Sequence, residues 1–269
     1  MIKRVVVCGL FLIPGVVQAW TPSGEQRIAQ KSAALAPADL KILIDKYSAE
    51  YARGVTLAAA DEGSEAHRFI VARGSGRLQQ QINQEVTTII RLFRTRQPIG
   101  DAVERLGRLV HYVSDANNPL HVADDYPSLR SRQQDYELFF DRKLEKFPTV
   151  FYGLTWPLNP SRYMAETFSR TAEFYPLVYE EYFRHGEEHT ARDFDDRSTA
   201  FGVASVAYSH AVTDVVNLYY YIWKESGGDV RSAAAMSKGN LLLTADPRSP
   251  FASALPGALR DRHGPSGNR

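Results

Sequence analysis

With 269 residues, 44% of them hydrophobic and 23% charged, the chain holds enough apolar material for a large core, which excludes a disordered or fibrous protein. A formal charge of +1 leaves no basic field to hold nucleic acid by counterion release, so a stable nucleic-acid complex is not expected. The one cysteine, Cys8, falls in the apolar N-terminal segment, so imidazole and carboxylate are the metal ligands available to the rest of the chain.

Residues 1–19 read as a secretory signal. Lys3 and Arg4 form a positive start, Val5 to Val17 is an apolar run too short to span a bilayer, and Val17-Gln18-Ala19 offers a cleavage site. Export to the periplasm or the medium follows, with Trp20 as the new N-terminus. Its free amine and carbonyl could then chelate a metal; alternatively Trp20 is the first apolar residue of the fold.

Beyond this point helical spacing dominates. Ile28, Leu35, Leu40, Leu43, Ile44 and Tyr47 recur at helical intervals, with a break at Pro37 and a restart at Asp39. Leu78 to Phe93 puts Ile82, Val86, Ile89 and Ile90 on one face. Asp101 is placed to cap a helix running through Val103, Leu106, Val110 and Val113. That helix should stop near Asn117, because Pro119 biases Asn118 out of the α region. Further helices are expected over Tyr136–Phe147, over Ser161–Phe183 with a bend at Pro176, and over Ser198–Lys224. Phe147 to Pro160 reads as a proline-rich loop, and Ala245 to Arg269 as a tail with little to bury. The division is a signal at 1–19, one all-α multi-helix domain at 20–243, and a flexible tail at 244–269.

The chemistry concentrates in HYVSDANNPLH, residues 111–121. His111 and Asp115 lie four apart and share a helix face, and Gly107, one turn earlier, allows another element to approach closely. His121 follows Pro119 on what should be a non-helical turn, from which its ring can swing back to the helix end. A carboxylate between two imidazoles suits borderline ions such as zinc, although a His-x-x-x-Asp pair on its own fits a structural hydrogen bond equally well. His210 and Asp214 repeat the spacing. They read as a buried pair bracing the core, the alternative being that His210 completes a metal site. His185 and His189 sit in a charged stretch and read as solvated, and Tyr219-Tyr220-Tyr221 reads as helix packing.

The string HYVSDANNPLH resembles the core motif of the zinc-dependent phospholipase C and single-strand-specific zinc nuclease superfamily. The similarity runs in order from Trp20 to Asp141: a Trp behind the cleavage site, Asp61 in GVTLAAADE, His67, the core motif, and Glu137 in QQDYELFFD. It implies an all-α fold and a zinc centre. Asp61, His67, His111 and Asp115 would hold one ion, Trp20 with Asp115 a second, and His121 with Glu137 a third. It also implies hydrolysis of a phosphodiester by metal-activated water, with Asp61 orienting or deprotonating that water. The implied substrate is a phospholipid or another phosphodiester, met during transient contact with a membrane surface, and a single-strand nuclease of the same fold is the alternative. Two positions depart from the pattern. Glu25 stands where a histidine ligand is expected near Trp20, and Gln133 replaces the histidine paired with Glu137. Glu is a competent zinc ligand and Gln a poor one, so a third reading is a non-catalytic scaffold that keeps one ion.

Overall fold

The computed structural model describes residues 20–60, 63–95, 97–236 and 242–244. The leader at 1–19, Asp61 and all of the tail but its first residue lie outside the described residues. The chain folds into helices α1 (Pro22–Ala34), α2 (Ala38–Lys46), α3 (Ser48–Ala58), α4 (Leu78–Arg94), α5 (Ile99–Ala116), α6 (Pro119–Val122), α7 (Pro127–Arg130), α8 (Gln133–Lys143), α9 (Pro160–Ala172), α10 (Tyr175–Tyr182) and α11 (Thr199–Glu225). Strands β1 (Thr149–Phe151) and β2 (Leu242–Thr244) pair antiparallel, with Val150 opposite Leu243. The all-α expectation is met. Among the described residues no helix is long and apolar enough to cross a membrane.

Helix α11 is apolar around most of its circumference, the pattern of a helix buried on all sides, and it runs through the core. Ser198 starts it, its hydroxyl accepting from the Phe201 amide at 3.1 Å. Helices α1, α4, α5 and α10 pack around it. The α3–α5 crossing is unusually tight. A Cβ on Gly107 would lie 2.1 Å from the Tyr51 carbonyl oxygen, and one on Gly54 would lie 1.9 Å from that of Glu104. The close approach read from Gly107 is thus real, and Gly54 is its counterpart. At the same crossing the Tyr51 hydroxyl lies 2.8 Å from that of Tyr219 and 3.1 Å from the Ala29 carbonyl oxygen, tying α1, α3 and α11 together.

Several expectations need correction. The run ending at Tyr47 gives the two helices expected of it, α1 and α2, but α3 follows directly in a segment for which the sequence reading offers no element. Asp101 is in the first turn of α5, whose N-cap is Pro98, so it interacts with the helix end by charge and is not the cap. His121 is not on a non-helical turn: it lies in the single turn of α6, started by Pro119 with the Asn118 side chain accepting from the Leu120 amide at 3.0 Å. The loop expected at 147–160 holds β1, too short at three residues for alternation to reveal. The split between α9 and α10 does fall at Pro176, which occupies the first turn of α10.

Candidate metal centre

The C-terminal half of α5 is buried from Leu109 to Ala116, and with it His111 and Asp115, neither of which is exposed to solvent. Their i, i+4 spacing aims both side chains at a one-turn 3-10 helix, Ser64–His67, that delivers His67. The chain leaving His67 is pinned to α6 by the Phe69 amide, which donates to the His121 carbonyl oxygen at 3.1 Å. Three potential ligand atoms therefore converge. His67 Nδ1 is 2.9 Å from Asp115 Oδ2 and 3.1 Å from His111 Nε2, and His111 Nε2 is 3.5 Å from Asp115 Oδ2.

The triangle has a chemical meaning. Ligands about 2.0–2.1 Å from a tetrahedral zinc ion stand about 3.3 Å from one another, and these three edges bracket that value. Two imidazole nitrogens and a carboxylate oxygen cannot all satisfy one another with a single shared proton, whereas one cation satisfies all three. The second oxygen of Asp115, Oδ1, is buried without a hydrogen bond, as is Glu25 Oε1. Buried carboxylate oxygens left unpaired are costly, and a positive ion is the simplest compensation. The donor set of two imidazoles and one carboxylate fits zinc.

Around the triangle lie the other residues expected at the site. Glu25, on α1, is 2% exposed and places Oε2 3.0 Å from His111 Nδ1, the nitrogen turned away from the triangle. Burial alone would lower the pKa of His111, but the adjacent Glu25 and Asp115 carboxylates outweigh it and raise it to about 9. Burial likewise raises the Glu25 carboxyl above its ordinary range, against the pull of His111. His121 places Nδ1 2.7 Å from the His67 carbonyl oxygen and 3.5 Å from Asp115 Oδ1. Gln133 Nε2 is 2.9 Å from both His121 Nε2 and Glu137 Oε1. Trp20 is fully buried, its indole 3.9 Å from the Phe140 ring and 5.9 Å from that of Tyr136, so its side chain plugs the core beside α8. The structure thus brings His67, His111, Asp115, Glu25, His121 and Glu137 into one connected cluster, while Asp61 lies outside the described residues.

A second buried network emerges where a His–Asp pair was expected. Asp214 Oδ2 accepts from Arg170 Nη2 at 2.8 Å, Asn117 Nδ2 at 3.0 Å and the Thr167 hydroxyl at 3.3 Å, and Oδ1 accepts from the Tyr163 hydroxyl at 2.6 Å. Asp214 does brace the core, but its counter-ion is Arg170. His210 stacks on Tyr152 at 4.3 Å instead, in a cavity of about 190 Å³ shared with Arg170 and Glu166, away from the His67–His111–Asp115 cluster. Sequence reasoning missed Arg170, since one arginine on an amphipathic helix looks like any solvated charge. Asn117, where α5 stops as expected, also ties the end of that helix to Asp214.

These features define an all-α protein with a buried His–His–Asp cluster suited to a metal. No protein-family model matches the sequence, and no curated protein does. Among solved structures it is similar to the Clostridium perfringens alpha-toxin isolated from avian strain SWCP, with a TM-score of 0.58 and 13% identity. The match covers 77% of this chain but 64% of the toxin, so the chain spans less than two thirds of that protein's length. The two share a fold.

Proposed function

We propose that this chain is a zinc-dependent phosphodiester hydrolase of the phospholipase C type, exported by its N-terminal signal. The single observation that carries the reading is the triangle of His67, His111 and Asp115, with edges of 2.9, 3.1 and 3.5 Å. The core motif that holds two of these residues and the fold shared with alpha-toxin support it. Within the proposal, these three residues and Asp61 bind the ion, and Glu25 holds His111 with Nε2 facing inward. A bound zinc ion supplies Lewis acidity at a phosphodiester. Asp61 orients the attacking water or takes its proton. The substrate is a phospholipid met at a membrane surface.

Protein expressed from the full sequence should contain zinc and hydrolyse lecithin in mixed micelles. Asp115→Asn removes the negative charge shared across the cluster and should lower hydrolysis by about 100-fold or more. Preference for single-stranded DNA over lecithin would move the protein to the nuclease alternative. Zinc-loaded protein that hydrolyses neither these nor a chromogenic phosphodiester would overturn the enzyme reading and leave a metal-binding scaffold.

A further inference from the structure

The replacement of an expected histidine by Gln133 has a structural consequence. Helix α8 begins at Gln133 and carries Glu137 one turn later on the same face, opposite His121 of α6. The resemblance implies an ion between His121 and Glu137. In its place stands the Gln133 side-chain nitrogen, 2.9 Å from His121 Nε2 and 2.9 Å from Glu137 Oε1. These two flanking atoms are 3.9 Å apart, wider than the roughly 3.3 Å between neighbouring ligands of a tetrahedral zinc ion. The amide orientation follows from chemistry: an amide oxygen facing a carboxylate oxygen would be repelled, so nitrogen faces Glu137. It offers two hydrogens, one for each neighbour. His121 Nδ1 donates to the His67 carbonyl oxygen at 2.7 Å, which leaves Nε2 as the acceptor for Gln133.

We propose that Gln133, His121 and Glu137 form a metal-free clamp, in which the Gln133 amide replaces the third ion and His121 serves as a positioning residue for the remaining centre. This rests on the metal centre at His67, His111 and Asp115 proposed above. The clamp acts on that centre from behind. His121 grips the backbone carbonyl of His67 and faces Asp115 Oδ1 at 3.5 Å, while the Phe69 amide ties the same segment back to α6. His67 is thereby held at its backbone carbonyl by a side chain that does not itself bind the ion, with Asp115 Oδ1 beside that side chain at 3.5 Å.

The test counts metal. Full-length expressed protein, Gln133→His and His121→Phe are each saturated with zinc and analysed for bound equivalents, and cobalt(II) replacement is followed by visible absorption. Gln133→His is expected to bind one more equivalent than the parent and to show an added cobalt absorption band. His121→Phe should keep the parent's count but bind its ion about 10- to 100-fold more weakly, the usual cost of losing a residue that orients a ligand. Equal counts in parent and Gln133→His, or the loss of a whole equivalent in His121→Phe, would overturn the clamp. The same measurements separate this inference from the enzyme reading. The expected metal counts with no hydrolysis overturn only the reaction, and hydrolysis with the wrong counts overturns only the clamp.

Discussion

At the scale of single residues, the proposed function gives Glu25 a place behind His111 instead of at the ion. Glu25 points Oε2 at His111 Nδ1 at 3.0 Å, and His111 presents its other nitrogen to His67 and Asp115. A carboxylate behind a metal-facing histidine fixes the tautomer and strengthens the imidazole as a donor. Replacing Glu25 by Gln keeps the size of the side chain and can keep a hydrogen bond, but removes the charge. Zinc affinity is expected to fall by about 10-fold in Glu25→Gln and by up to about 100-fold in Glu25→Ala, measured by competition with a chromophoric chelator. Unchanged affinity in both variants would show that Glu25 does not hold His111 for the ion.

The helices themselves decide whether these residues can meet. Helix α5 reaches the triangle only because it lies against α3 at backbone distance, and that depends on two glycines without side chains. Adding a methyl at Gly107 drives it to 2.1 Å from the Tyr51 carbonyl oxygen, and a backbone atom cannot swing aside as a flexible side chain can. Gly107→Ala is expected to destabilise the protein by about 3 kcal/mol, despite the better helix propensity of alanine, read as a shift in the urea midpoint. A neutral or stabilising result would mean that α3 and α5 separate at little cost. Here too lies the division between what the sequence displays and what it hides. Helices α1, α4, α5, α9 and α11 are legible because their apolar residues repeat at helical spacing over two turns or more. The motif from His111 to His121 is legible for a related reason, since its spacing is local. Contacts set by tertiary geometry are not. Nothing near Gln133 announces that its amide fills a gap between two helices, and nothing near Arg170 announces that Asp214 lies across from it. The pairing of β1 with β2 joins segments about 90 residues apart with three residues each, too little pattern for either to be seen.

Across the whole molecule, two buried polar systems share helix α5: the triangle on one side and, through Asn117 at its end, the Asp214 network shared with α9 and α11. The second system carries a consequence for stability that does not involve the metal. His210 projects from α11 into the cavity beside Arg170, stacked on Tyr152. Burial and then the positive charge of Arg170 push its pKa down to about 4, with Asp214 acting weakly the other way. An unfolded histidine titrates near 6.5, so between pH 6.5 and 4 the unfolded chain holds a proton at this position that the folded one does not. Stability from His210 is therefore complete above pH 6.5 and is lost as the pH falls through that window. A shift of this size corresponds to roughly 3 kcal/mol at most by pH 4. His210→Phe keeps an aromatic ring against Tyr152 and removes the titration. Urea unfolding at pH 7 and pH 4.5 should show the parent losing about 2 kcal/mol more than His210→Phe over that interval. The histidines of the His67–His111–Asp115 cluster are common to both proteins and cancel in the comparison. Equal losses in the two proteins would show that His210 titrates as it does in water and that the cavity beside Arg170 admits its charged form without cost.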